Sequence, residues 1–530
     1  MKESETEEAK AQVEKAFEST FRLIFGECNV TMDGLAPYLS RFKYQPLATR
    51  QSSISGKMVA LSSTRYPPGA KCVSQDEINY MKKPAPLSLN EIKDIDSIIS
   101  ALGERASYAG NTKFGNSAGI GLSDNCSDSH YVYGSHNIVK SRYVGHSSYI
   151  REGSEYIFGC SSLLNCRHLI SEIGGDGNAR MFEAYVCTKS SDMFFASYCH
   201  GCSNVMFSFN LRSRNNCIGN LELPREKYAA LRKKLVGESR EYIEKHKSFY
   251  SIFDYAPPTR EEVAAAGVPA ILAKKGSIAE VDAAFSQAAK LIFGRELGGV
   301  EKNEKFLLAS GVEMVHIART PFGNATAYSK YYWAGNMPKG RMICDAESEH
   351  AGKAHLASDE IEGGLERLVK GISKIAFYTT QYDVGANQNI IDTPIMHYSS
   401  DSCRNSVSSY SKKCAYCNHA FQSEALFGCS TMMTESTFCI RCHNCVKTSY
   451  SLELDACKSC FRCMFCHNCE GLSDSMFCFN AKNLRYAIGN VEVGREEYMR
   501  IRQKVVAELL ARLEKTGDIG MDIYSIGARK

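Results

Sequence analysis

The block VMFSFN at 205–210 returns as SMFCFN at 475–480, IGNLEL at 218–223 returns as IGNVEV at 488–493, and REKY at 225–228 returns as REEY at 495–498. The spacing between the copies is constant, so a shape open to one stretch is open to the other. Both blocks close stretches, 126–223 and 403–493, written in short cysteine- and serine-rich repeats that run into the same kind of helix. Short units of this kind cannot bury an apolar face alone and must stack.

The correspondence extends to the start of each half, where VEKAFESTFRLIFG at 13–26 is matched by VDAAFSQAAKLIFG at 281–294. Val13, Phe17, Phe21 and Ile24, and likewise Val281, Phe285, Ala288 and Ile292, fall at helical spacing and mark amphipathic helices that need a partner surface. YAPPTREEVAAAGVPA at 255–270 reads as the connector between halves. The expected fold class is α+β, a tandem duplication. Each half is an N-terminal helix and small α/β module, followed by a parallel β-solenoid capped by a C-terminal helix. The boundaries expected are 1–125 for the first helix and module, 126–223 for the first solenoid and 224–262 for its capping helix and linker. The second half follows as 263–400, 401–493 and 494–530. Each half is long enough to fold by itself.

Inside the repeats small residues recur every six positions: Ser135, Ser141, Ser147, then after a one-residue slip Ser154, Cys160 and Cys166. In the second half Cys417, Ser423 and Cys429 are followed, after another slip, by Ser436, Cys442 and Thr448, with the slips at corresponding places. Six residues are too few for a helical repeat, and the intervening aromatic and β-branched residues favour short parallel strands. A coil of 12 or of 18 residues satisfies this spacing equally. The helices at 224–246 and 494–515 then read as covers for the exposed end of each stack.

The net charge of +4, from 63 basic and 59 acidic residues, gives no strong field for nucleic acid or an anionic membrane. No apolar run reaches the roughly 20 residues of a membrane span, and the acidic N-terminus lacks the regions of a secretion signal. A cytoplasmic location is expected. Reduced thiols are expected there too, despite 23 cysteines.

Cys457, Cys460, Cys463, Cys466 and Cys469 repeat every third residue, preceded by Cys439, Cys442 and Cys445, with His443 and His467 nearby. Paired C-x-x-C turns are the ligand pattern of tetrahedral zinc, and an iron–sulfur cluster fits less well because the last gap and following proline of ferredoxins are missing. The internal copy supplies a control. Cys457 aligns with Cys187, Cys460 with Ser190, Cys463 with Met193, Cys466 with Ala196 and Cys469 with Cys199. A metal site cannot exchange thiolate for Ala or Ser, whereas a crowded interior can, so packing is preferred and zinc is the alternative.

Catalytic signals are weaker. His130, His136, His146, His168 and His200 occupy different phases of the hexad, and Cys199 or Cys202 beside His200 lacks the geometry of a nucleophile and base. ISEIGGDGNAR at 170–180 reads as a loop extruded from a coil, and the aromatic and basic stretch 328–345 around Trp333 as packing or a partner surface.

Blocks such as CHNCEGLSDSMFCFNAKNLRYAIGN at 466–490 resemble uncharacterised Cys/Ser-rich short-repeat proteins of archaeal, bacterial and viral gene sets. The resemblance covers the two repeat-and-cap segments and implies a β-helical repeat without a known activity. The expected function is therefore a non-catalytic scaffold or protein-binding solenoid in a homo-oligomeric or multi-protein assembly. The alternatives are zinc binding by the second repeat, or a carbohydrate- or acyl-processing site on a solenoid face.

Overall fold

The computed structural model describes residues 3–41, 46–81, 94–102, 106–271, 276–309, 311–330, 333–431 and 433–527. It mixes helices with parallel strands, and its geometry follows from one backbone feature. Along the repeats nearly every third residue is left-handed: Ala456, Ser459, Arg462, Phe465 and Asn468 have φ of 53°, 53°, 52°, 53° and 50°. Each is a corner, and the residue after it, here Cys457, Cys460, Cys463, Cys466 and Cys469, is buried. Four corners separate each residue from its parallel partner twelve positions on, as in Leu452 with Met464, Leu454 with Cys466 and Asp455 with His467. Twelve residues, not eighteen, is thus the pairing period. The inward period is three rather than the two of a flat strand, and the hexad seen in the sequence is a pair of sides.

Left-handed corners cost non-glycine residues about 1 kcal/mol each, least for Asn and Asp, so the pairing must return that energy. It does so partly through side chains. The Ser141 N–H donates to Ser129 Oγ (3.2 Å), and Ser129 Oγ donates to the Ser127 carbonyl (2.8 Å). The same relay joins Ser147 to Ser135 and Cys463 to Ser451.

The first ladder runs from Lys113 to Ile218 and the second from Tyr382 to Ile488, so parallel pairing begins upstream of residues 126 and 401. One extra residue enters the first between Ser148 and Glu155, and another enters the second between Thr431 and Thr434. Under the 270-residue spacing of the sequence blocks these slips do not coincide, contrary to the expectation. Each ladder ends in an antiparallel pair, Cys217 with Glu222 and Ala487 with Glu492, after which no parallel edge continues.

Helix α1 (Glu3–Phe25) lies along the first ladder, with Phe17 edge-on to Phe158 at 5.3 Å. Helix α2 (Arg225–His246) follows that ladder's final pair. Helix α3 (Ala279–Phe293) lies along the second ladder, with Phe285 edge-on to Phe427 at 5.0 Å, and helix α4 (Arg495–Thr516) follows its end. The 170–180 stretch is not extruded: Arg167–Asp176 is a strand, and Gly175 leaves room for the Glu172 carboxylate, which a Cβ there would approach to 2.4 Å and force to shift.

The regions between helix and ladder change the domain picture. The module of the first half docks on the second ladder: Tyr66 OH donates to Asp455 Oδ2 (2.9 Å), the Ala109 N–H to His467 Nε2 (2.9 Å), and Asn480 Nδ2 to the Ser107 carbonyl (2.9 Å). The module of the second half docks on the first ladder, where Asn210 Nδ2 donates to the Phe377 carbonyl (2.9 Å) and Tyr198 OH to Asp345 Oδ1 (2.5 Å). The two modules share a parallel pair, Cys72 with Tyr108 and Met342 with Tyr378. Two apolar cores result, each mixing residues of both halves. The halves are therefore interlocked rather than self-contained. Among the described residues no helix is long and apolar enough to cross a membrane.

Candidate functional site

The eight cysteines singled out in the sequence line the interior of the second ladder, none more than 2% exposed. Their sulfurs face backbone carbonyls. Cys457 Sγ lies 3.3 Å from the Asp455 carbonyl and 3.4 Å from that of Cys466, Cys460 Sγ 3.4 Å and 3.6 Å from Lys458 and Cys469, and Cys463 Sγ 3.4 Å and 3.6 Å from Phe461 and Leu472. Cys466, Cys469, Cys439, Cys442 and Cys445 do the same. Each S–H thus bridges its own turn or the next one, the role that Ser Oγ plays elsewhere, which explains why Cys and Ser interchange between the halves. Burial pushes the Cys442, Cys457, Cys463 and Cys466 thiols well above the usual range. Among the described residues no group of three or more His, Cys, Asp or Glu is arranged to hold a metal ion.

A second feature escaped the sequence reading. Ser430, His443, Asp455 and His467 stack in one column of successive turns. The composition is that of a hydrolytic triad, but the geometry is not. His443 Nδ1 lies 2.5 Å from Ser430 Oγ, whereas Asp455 bonds instead to His467 Nδ1 (2.8 Å), Tyr66 and Tyr524. All four residues are at most 2% exposed, so a substrate has no approach. Alongside them Arg441 pairs with Glu453 and with Asp518 (2.8 Å) and donates to the Met521 carbonyl (3.0 Å), tying the C-terminal segment to the ladder. Twelve-residue stacking of polar positions is the signal that would have found this column.

The first-half histidines are dispersed. His168 Nδ1 meets Thr20 Oγ1 (3.3 Å) with its ring stacked on Tyr156, His136 Nδ1 meets Asn137 Nδ2 (3.0 Å), and His200 Nδ1 meets Thr188 Oγ1 (2.8 Å). Cys202 Sγ donates to the His200 carbonyl rather than pairing with its ring. Of the 328–345 stretch, Tyr331, Tyr332 and the Trp333 side chain lie outside the described residues.

Where the two ladders meet, a cleft of ≈ 260 Å³ is lined by Tyr149, Arg151 and Ser162 from the first and by Tyr382, His397, Tyr410 and Phe421 from the second. Arg151 Nη2 lies 3.0 Å from His419 Nδ1, and its guanidinium lies over the Phe421 ring. Burial and the Arg151 charge hold His419 well below the usual imidazole range, and burial brings His397 down to about 4. Both rings are neutral at pH 7. No protein-family model, curated protein or solved structure matches this chain.

Proposed function

We propose that the chain is a non-catalytic scaffold, built from two β-solenoids related by tandem duplication and self-associating through their outer faces. The duplication is supported by contacts repeated across the halves, among them Asn210 to Phe377 and Asn480 to Ser107, and by the paired strands of the two modules. In the column of the second ladder, Asp455 is taken up by His467, Tyr66 and Tyr524, and Ser430 by His443 Nδ1. The buried thiols, all free, suit a reducing compartment such as the cytoplasm.

The observation that carries the scaffold reading is an aromatic column on the outside of the second ladder: Phe438 and Tyr450, both at corners, stack at 5.6 Å, and Tyr450 meets Phe461, which is 40% exposed and precedes the corner residue Arg462. Rigid, ring-bearing faces of this kind favour protein contact over solvent. Light scattering on the eluting protein tests it. A multimer that the Tyr450→Ser/Phe461→Ser double variant reduces to single chains, with its circular dichroism retained, supports the reading; a wild-type monomer at all concentrations sinks self-association.

A second reading, zinc binding, rests on Cys457, Cys460, Cys463 and Cys466 facing one interior within a single turn. It requires the sulfurs to abandon their carbonyls, and elemental analysis of protein purified without affinity metals decides it.

A further inference from the structure

The cleft between the ladders is furnished on one side in a way the fold does not demand. His397, Tyr398, Ser409 and Tyr410 line it from the second ladder. The residues 270 positions earlier, which occupy the same places in the first repeat, are Ser127, Asp128, Val139 and Lys140. A repeat that closes equally well with Ser, Asp, Val and Lys has no structural need for His and two Tyr. The rings are also arranged. Tyr398 and Tyr410 stack at 5.2 Å with planes 11° apart, each more than half exposed. Deeper in, Tyr382 stands edge-on to His397 at 5.1 Å and stacks on His200 at 5.3 Å.

His397 Nε2 and Ser162 Oγ, both buried in the lining, have no hydrogen-bond partner. His397 Nδ1 is engaged by Ser409 Oγ at 3.1 Å, which fixes the ring and leaves Nε2 as the uncommitted edge. Leaving such atoms unpaired costs about 1–3 kcal/mol each, a cost a ligand with matching polar atoms would remove. The cavity holds the volume of about nine waters at ~30 Å³ each.

We propose that this cleft binds a flat, uncharged heteroaromatic molecule of nucleobase size. The tyrosine and phenylalanine rings would hold its faces, while His397 Nε2 and Ser162 Oγ meet its hydrogen-bonding edge. Flatness follows from the aromatic ring faces that line the cleft, Tyr149, Tyr382, Tyr410 and Phe421, and hydrogen-bonding capacity from the two unpaired atoms. Lack of charge follows from the neutral imidazoles together with Asp176 and Arg151 on the same lining, which leave no single sign of charge to select an ion.

Adenine titrated into the full-length protein by calorimetry is the test, with benzene as an apolar control. Saturable binding with Kd below about 1 mM is expected, weakened at least about tenfold by Tyr410→Ala, whose exposed side chain can be removed without unfolding the ladder. Lys140→Ala, at the matching place of the first repeat, should leave the affinity unchanged. Absence of saturable adenine binding overturns the proposal, and so does binding that Tyr410→Ala and Ser162→Ala both leave intact. Benzene binding as tightly as adenine overturns the assignment of the polar edge.

Discussion

A cysteine inside a ladder of this kind has two jobs, filling volume and feeding a proton to a carbonyl, and the second explains why serine is its commonest substitute. Cys463→Ala keeps the volume nearly filled but loses the S–H contact, so we expect a folded protein destabilised by about 1–2 kcal/mol in urea titration. Cys463→Ser should cost less. Loss of folding together with release of a bound metal would contradict the packing role. Histidine sets the pH response. Burial holds His200 at about 3 and His397 at about 4, whereas an unfolded imidazole titrates near 6.5. Between those values the unfolded chain takes up protons that the folded chain refuses, so stability must fall as pH drops from about 6.5 toward 4. For His397 alone the shift corresponds to about 3 kcal/mol. Urea midpoints at pH 7 and pH 5 check this, and His397→Gln should flatten the difference.

At the scale of the element, the corner decides what residues are allowed. Lys447 sits at φ 54° with its side chain largely in solvent, paired with Glu435 at 3.5 Å, and any two uncharged replacements lose that pair equally. Lys447→Val places a β-branched residue in the left-handed region and should cost about 1–2 kcal/mol, while Lys447→Asn should be neutral or stabilising. Equal thermal midpoints for the two variants would show that the corner is not strained. The sequence displayed this element only in part. Its small residues every six positions were legible because inward sites select for size. The left-handed corners were not, because Tyr, Phe, Lys, Arg and Glu occupy many of them alongside the more frequent Asn and Gly. Period-two reasoning about strand faces fails on a backbone whose inward residue comes every third position.

At the scale of the molecule, the exchange of modules binds the two halves into one cooperative body. A protease site inserted after Gly267, in the connector, should yield two fragments that still co-elute under native conditions. Each expressed alone should fail to give a soluble monomer. Each half by itself would expose the ladder face that the other's module covers, around Asp455 and His467 in one case and Asn210 in the other. A soluble, monomeric 1–262 fragment with a sharp thermal transition would refute the interlock. Breaking the buried Arg441–Glu453 pair with Arg441→Met should cost about 3–5 kcal/mol, since it strands a carboxylate that the C-terminal segment is folded around.

The sequence by itself determined what is local and periodic: four long helices, short parallel strands of a repeating unit, the slips in its phase, and small residues facing inward. These are dictated by side-chain size and by the spacing of apolar residues, which neighbours along the chain can enforce. Only the tertiary structure decided which ladder each module covers, that Tyr66 of the first half reaches Asp455 of the Ser430–His443–Asp455–His467 column, and which polar residues meet in the inter-ladder cleft. Those partners lie up to several hundred residues apart, and their choice depends on which apolar face remains open once each ladder has formed.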